Sequence, residues 1–260
     1  MATVEGVEQL GAYGVVTALD RYGPSDPRPG QFYMLASARD WGGGGDERPY
    51  LPRAFSYARA RVESEGVALS FLLEAVGPGT ERLAELAPEE GLCLVGPLGV
   101  GFRPPADGTR ALLVGGGIGA APLLCWQEEL AEPTVLLGFR SAAHAQAAAL
   151  FGPNPRVVTD DGSVGRQALV TQLLAEELDA DARATVYACG PPPMLEAVRA
   201  LCAEREVPAQ LAMESGMACG FGACFGCVVP TVDGYVRLCV DGPVLDAATL
   251  ETALVAGAGH

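Results

Sequence analysis

The chain has 260 residues, 49% hydrophobic and 19% charged, enough to build a real core in one large domain or two to three smaller ones, and this composition excludes intrinsic disorder. Seventeen Lys and Arg stand against 32 Asp and Glu, and the net charge of −15 argues against nucleic acid as a partner, because phosphates need a basic surplus. The longest uncharged run, 111–127, is short for a membrane span and holds four glycines and a proline, so no membrane partner is expected.

In chain order, the first hundred residues carry short apolar segments at 13–18, 31–36, 54–60 and 67–74, separated by Pro24, Pro27, Pro29 and the tract Gly42–Gly45. That pattern predicts a small antiparallel barrel or sandwich, interrupted by one helical segment at 80–86. From Thr109 the rhythm changes. Strand-like 111–116 precedes helix-like 121–131, strand 133–139 precedes helix 141–151, strand 155–161 precedes helix 165–178, and strand 184–190 precedes helix 192–205. Alternation of this kind predicts parallel βαβ units in a doubly wound sheet. A last strand, 209–214, leads into a cysteine-rich tail. The expected division is a barrel over 1–104, a nucleotide-binding-like α/β domain over 105–208 and a small metal module over 209–260. The tail alone offers little core, so bound metal is expected to supply much of its folding free energy.

The acidic N-terminal stretch has no basic region followed by an apolar block, so no export signal is expected. Eight cysteines then point to the reducing cytoplasm, where clustered thiols bind metal more often than they form disulfides. Four of them, Cys219, Cys224, Cys227 and Cys239, are spaced C-x4-C-x2-C-x11-C, among Gly216, Gly220, Gly222 and Gly226. Glycine frees the backbone to wrap a metal group and lets amide N–H groups approach sulfur. The first three cysteines follow the plant-type [2Fe–2S] spacing, with the fourth delivered by a hairpin turning at Asp233-Gly234. Structural zinc is the alternative, although zinc modules favour two x2 pairs and one occurs here. Cys93, Cys125 and Cys202 read as inert buried thiols.

A [2Fe–2S] centre moves one electron at a time, and a flavin is the usual converter to two-electron hydride chemistry. Arg53-Ala54-Phe55-Ser56 offers a guanidinium for pyrophosphate, a ring for stacking and a hydroxyl for the flavin edge. Gly77-Pro78-Gly79-Thr80 opens the expected helix and could receive phosphate, and Gly96–Gly99 could close the pocket. Gly115-Gly116-Gly117-Ile118-Gly119 follows a strand and opens a helix, the setting that seats a pyrophosphate, although a tight structural turn reads the same way. Cys189-Gly190-Pro191 ends a later strand, where doubly wound sheets bind ligands. His144, in an Ala-rich helix, and the terminal His260 read as non-catalytic, and no nucleophile–base pair or carboxylate dyad is visible, so the chemistry belongs to cofactors.

RAFS in a barrel, then GGGIGAAP and CGP in an α/β domain, resemble the ferredoxin–NADP reductase superfamily. With ESGMACGFGACFGC (214–227) and CVDGPVLDA (239–247), the chain resembles the electron-transfer subunits of dihydroorotate dehydrogenase B over nearly its whole length. The resemblance implies an oxidoreductase subunit of pyrimidine biosynthesis, receiving electrons from an FMN-bearing subunit that oxidises dihydroorotate and passing them through [2Fe–2S] to FAD and on to NAD+. It further implies a hetero-oligomer, a heterotetramer. Arg53, Ala54, Phe55, Ser56, Gly79 and Thr80 would bind FAD; Cys219, Cys224, Cys227 and Cys239 would bind the cluster; and Gly115, Gly116, Gly117, Gly119 and Cys189 would face the nicotinamide nucleotide. Two features depart from the pattern: Leu73-Glu74-Ala75, where relatives often carry an aromatic or basic flavin contact, and the insertion Asp40–Glu47 before Arg53. The NAD(P)-reactive flavin subunit of a hydrogenase or ferredoxin–NADP transhydrogenase is an alternative of similar layout, and a zinc-stabilised docking module without redox activity is one of another class.

Overall fold

The computed structural model describes residues 1–24, 26–42, 49–152 and 154–255. Part of the 40–47 insertion and His260 lie outside them.

Six antiparallel strands form a closed barrel: β1 (Ala2–Leu10), β2 (Tyr13–Asp20), β3 (Phe32–Ser37), β4 (Arg53–Glu63), β5 (Gly66–Leu73) and, after the short helix α1 (Pro78–Ala84), β6 (Gly91–Leu98). Their spatial order is β1-β2-β5-β4-β3-β6, and the pairs Ala2↔Leu92 and Thr3↔Gly91 close the ring. Closure leaves no strand edge to pair with another chain. Inside, Tyr33 meets Tyr57 and Phe71 edge to face at 6.2 and 5.8 Å, among Val16, Leu35 and Leu69. Each fully buried aliphatic or aromatic side chain of this kind contributes roughly 1.5–3 kcal/mol.

The second body contains β7 (Arg110–Gly116), α2 (Ala120–Glu129), β8 (Thr134–Phe139), α3 (Ala142–Ala145), β9 (Arg156–Thr159), β10 (Arg166–Gln167), α4 (Val170–Ala180), β11 (Ala184–Cys189), α5 (Pro192–Glu204) and β12 (Ala209–Ala212). Beyond it come the hairpin β13 (Val228–Thr231) and β14 (Gly234–Arg237), then β15 (Val244–Asp246). The sheet order is β10-β9-β8-β7-β11-β12-β15, parallel except for β15. Alternate residues of each strand serve opposite faces. Leu112, Val114 and Val186 therefore pack on Leu173, Leu174, Leu195 and Val198 of α4 and α5, while Leu113, Leu137 and Tyr187 pack on Leu123, Leu124 and Trp126 of α2. After β7 the chain winds to one side of the sheet and returns at β11 on the other, so the direction reverses between β7 and β11, the place where such sheets open a binding crevice.

Three segments differ from the sequence expectation. The helix expected at 165–178 begins at Val170, because Arg166 and Gln167 pair with Val158 and Thr159 as an edge strand. The helix expected at 141–151 keeps one α turn before a 3₁₀ segment at 146–150. There the barrel's first hairpin docks, and the N–H of Ala12 donates to the Ala143 carbonyl at 3.0 Å. The tail, expected to lack a core, adds β15 to the sheet and buries Val229, Leu238, Leu250 and Ala253 in the same core as α5.

The two bodies are fastened rather than linked loosely. Phe102 stacks on Trp126 at 5.8 Å, the Tyr187 hydroxyl donates to the Arg103 carbonyl at 2.9 Å, and the Arg59 guanidinium reaches Glu128 at 2.6 Å. Among the described residues no helix is long and apolar enough to cross a membrane.

Candidate cofactor cleft and metal centre

Where the barrel meets the carboxyl ends of the parallel strands, a cleft of about 830 Å³ opens. Its barrel wall is centred on one stretch of β4, Arg53 to Ser56, flanked by Tyr13, Phe32 and Leu72 of neighbouring strands and by Thr80 of α1. Pairing with β3 sets that stretch, with Phe32 opposite Ser56 and Met34 opposite Ala54. The Arg53 guanidinium is held by the Leu51 carbonyl at 2.5 Å and lies 5.6 Å over the ring of Trp41. Gly79 makes this possible: a Cβ there would fall 2.5 Å from Arg53 Nε. The Thr80 hydroxyl accepts the N–H groups of Val76 and Gly77 at 2.9 and 3.1 Å, which folds the 76–80 loop around it.

The opposite wall is assembled from separate strand ends. Gly116, Gly117 and Gly119 line it, with Phe139, Asp160 and Met194 beyond. Gly117 takes φ +56, a conformation that favours glycine, and a Cβ on Gly119 would lie 2.5 Å from the Cys189 carbonyl. Gly115 and Cys189 sit one layer behind. They face each other in the β7–β11 ladder, and Gly115 leaves room for the Leu137 side chain, 2.8 Å from where its Cβ would be. Burial, with the Glu214 carboxylate nearby, holds the Cys189 thiol well above the usual range. The sequence pattern therefore brings eight of the eleven expected cofactor residues to the cleft surface (Arg53, Ala54, Phe55, Ser56, Thr80, Gly116, Gly117 and Gly119), and Gly79, Gly115 and Cys189 shape it from behind.

Sequence reasoning missed Tyr13, Glu74, Arg140, Asp160, Glu214 and Ser215, all on the cleft surface. Arg140, Asp160 and Glu214 each stand just past a strand, after β8, β9 and near the end of β12, so the rule that ligands bind beyond strand carboxyl ends could have flagged them. Glu214 opens onto the cleft, and partial desolvation there raises its carboxyl pKa. The Ser215 hydroxyl is buried without a partner. An elongated space with a cradled guanidinium at the barrel end and an unpaired hydroxyl beside Glu214 fits a flavin dinucleotide.

The wall continues through Gly216 and Met217 into the cysteine loop. There the four sulfurs form two couples. Cys227 and Cys239 Sγ lie 3.2 Å apart, and the Cys224 side chain hydrogen-bonds Cys219. Peptide N–H groups aim at them: Gly222 donates to Cys239 Sγ at 3.1 Å, Gly226 to Cys224 Sγ at 3.4 Å, and Cys239 to Cys227 Sγ at 3.5 Å. Burial opposes ionisation at Cys219, yet the N–H groups of Cys224 and Phe221 lower its thiol to about 6. Cys239 is pushed up to about 12 by burial and by the Cys227 thiol. Among the described residues no three His, Cys, Asp or Glu side chains gather round one point. Two thiolates on each of two irons is the donor set of a [2Fe–2S] cluster, whereas zinc needs all four at one centre. Away from the loop, burial pushes the Cys125 and Cys202 thiols up to about 12, and all eight cysteines are free.

A family model described as the iron-sulfur cluster binding domain of dihydroorotate dehydrogenase B matches residues 214–251. The dihydroorotate dehydrogenase B (NAD(+)) electron transfer subunit of Clostridium acetobutylicum is 35% identical over 247 residues, covering 93% of this chain and 94% of that protein. Its counterpart from Geobacillus kaustophilus is 38% identical over 236 residues, 85% of each. Among solved structures, the NADH-dependent reduced ferredoxin-NADP oxidoreductase superposes with TM-score 0.79 at 22% identity, over 97% of this chain and 90% of that one. The ferredoxin reductase of carbazole 1,9a-dioxygenase gives 0.64 at 23%, over 79% and 65%. These two establish the barrel-plus-sheet fold, and the sequence relatives establish the lineage: the chain belongs to the family of dihydroorotate dehydrogenase B electron transfer subunits.

Proposed function

We propose that this chain carries electrons from a dihydroorotate-oxidising, FMN-bearing partner subunit through a [2Fe–2S] cluster and FAD to NAD+. When bound, the cluster supplies one-electron transfer and the flavin couples it to two-electron exchange with the nicotinamide. The observation that carries this reading is the continuity of one wall. Gly216 and Met217 line the cleft and Cys219 follows two residues later, while Gly220 packs on Met34, whose ladder partner Ala54 is on the flavin side. A single strand thus separates the cysteine loop from the expected flavin wall.

In this reading Arg53 holds the flavin pyrophosphate, Ala54 to Ser56 and Thr80 position the ring system, and Gly116 to Gly119 admit the nicotinamide nucleotide against bare backbone. Cys219 and Cys224 hold one iron, Cys227 and Cys239 the other. The units 1–104, 105–208 and 209–260 serve flavin, nicotinamide nucleotide and cluster in turn, with β12 and β15 tying the last to the sheet. The free thiols suit a cytoplasmic location. The partner completes a heterotetramer. A hydrogenase-type role has the fold in its favour but not the relatives, and a zinc module would leave the cleft without a task.

Protein prepared anaerobically with iron, sulfide and FAD is expected to show flavin bands over broader iron–sulfur absorption, bleached by dithionite; colourless protein would sink the reading. Cys224→Ser is expected to remove the iron–sulfur component and keep the flavin bands, and a reducible cluster signal in that variant would overturn the ligand assignment. Dihydroorotate should reduce NAD+ only with the FMN partner present, and light scattering of that complex tests the heterotetramer.

A further inference from the structure

Two cationic side chains line the cleft among the described residues, Arg53 on the barrel side and Arg140 on the sheet side. The proposed function brings two dinucleotides to this space, each with a pyrophosphate, and Arg53 serves the flavin. Arg140 follows Phe139 at the carboxyl end of β8, where a doubly wound sheet receives its ligand. Yet it is already engaged across the domain junction. Its Nη2 donates to Glu74 Oε1 at 2.5 Å and to His144 Nε2 at 2.8 Å, and Glu74 belongs to the barrel, one residue past β5.

The imidazole makes this contact exchangeable. Because Nε2 accepts from Arg140, the ring proton is on Nδ1 and is donated to Ser141 Oγ at 2.9 Å. The 3.3 Å from His144 Nε2 to Glu74 Oε1 is then an approach of two acceptors, not a bond. If Arg140 leaves, the proton moves to Nε2 and is donated to Glu74, and the Ser141 hydroxyl turns to donate to Nδ1. Every group keeps a partner. Arg140 is also the member free to go: its side chain is 66% exposed, against 24% for Glu74 and 16% for His144, which Tyr13 backs edge-on at 5.5 Å. An ion pair so open to solvent is weak and readily displaced by a doubly charged anion.

We propose that Glu74 is an internal placeholder for the pyrophosphate of the pyridine dinucleotide: it holds Arg140 across the nucleotide side of the cleft, and NAD(H) gains Arg140 only by displacing it. Arg140 is then a binding residue, and Glu74 and His144 are positioning residues that act through it. The carboxylate raises the dinucleotide concentration needed for binding and leaves the arginine oriented when product departs.

The inference rests on the nicotinamide reading of the cleft, and the test separates the two. FAD-loaded chain is titrated by calorimetry with ADP-ribose, which has the pyrophosphate and no redox chemistry. Glu74→Gln is expected to tighten binding about threefold to tenfold. Arg140→Ala is expected to weaken it about tenfold or more, and adding Glu74→Gln to Arg140→Ala is expected to restore nothing. With NADH and ferricyanide, the effect of Glu74→Gln should fall on KM rather than on kcat. Equal tightening by Glu74→Gln with and without Arg140 would reduce Glu74 to general repulsion and overturn the placeholder, as would no change in either single variant. Should Arg140→Ala fail to fold, Arg140→Lys replaces it, and unchanged ADP-ribose binding there overturns the proposal equally. If the parent chain binds no ADP-ribose, the nicotinamide reading itself falls, and the placeholder with it.

Discussion

The two walls of the cleft are built in opposite ways. The barrel wall is centred on four consecutive residues of one strand, Arg53 to Ser56, with Tyr13, Phe32 and Leu72 of neighbouring strands beside them and a loop folded around Thr80 close by. The facing wall has no such segment: Gly117, Phe139, Asp160 and Glu214 come from four strand ends and Met194 from the first turn of α5, and they meet only when the sheet is complete. A local wall is set by local pairing and tolerates change elsewhere. An assembled wall depends on everything that fixes the sheet.

Three substitutions test that contrast. The largest effect is expected from Arg53→Ala, which removes the one cation of the barrel wall among the described residues and should weaken FAD binding about 10- to 100-fold, with the melting temperature of the apoprotein nearly unchanged. A comparable loss of apoprotein stability would mean that the barrel wall is not local. Gly119→Ala is expected to behave in the reverse manner. The new Cβ meets the Cys189 backbone carbonyl, which cannot swing aside, so the variant should lose about 1–3 kcal/mol of unfolding free energy together with dinucleotide binding. Unaltered denaturation with binding alone impaired would make Gly119 a ligand contact and nothing more.

The smallest effect is expected where residues 252–253 meet α5. Glu196 of α5 accepts from Arg199, from the N–H of Ala253 at 2.6 Å and from the Thr252 hydroxyl at 3.0 Å. The Arg199 guanidinium, against the cost of burial, and the Ala253 N–H hold its carboxyl down to about 2. A folded-state pKa below the unfolded one gives stability that is present above the ordinary carboxylate range and is lost as pH falls toward the folded value. Because the pair is partly exposed, about 1 kcal/mol is expected to disappear between roughly pH 5 and pH 2, and Glu196→Gln should flatten that part of the profile. A profile as steep in the variant as in the parent would release the end of the chain from any role in fixing α5 behind the assembled wall.

The same contrast explains what could be read in advance. RAFS, GGGIG and the spaced cysteines carry their geometry within a few residues, and the structure brings them to the cleft or beside it. Gly115 and Cys189 share those motifs but alternate to the inner layer, because successive residues of a strand face opposite ways and the last turn decides which reach the surface. Arg140 and Asp160 had no motif around them; their meaning comes from standing beyond β8 and β9, which needs the strand order. The edge strand β10 and the truncated helix at 142–145 were hidden for the same reason, since each is set by a partner outside its own segment, Val158 of β9 for the first and the Ala12 N–H of the barrel for the second. The tail misled most. Read by itself it is too short and too rich in turns to close a core, yet Leu238, Leu250 and Ala253 are buried against a core that the rest of the chain supplies.

Ala212 pairs with Val244, and the Met213 N–H donates to the Pro243 carbonyl at 2.9 Å, so the whole cysteine segment is a lariat whose two ends are knotted side by side. A noose held shut at its neck need only tighten when iron arrives; it does not have to be tied. Because that neck is closed by backbone pairing, removal of the cluster is expected to loosen one loop while the sheet that seats the nucleotides stays closed.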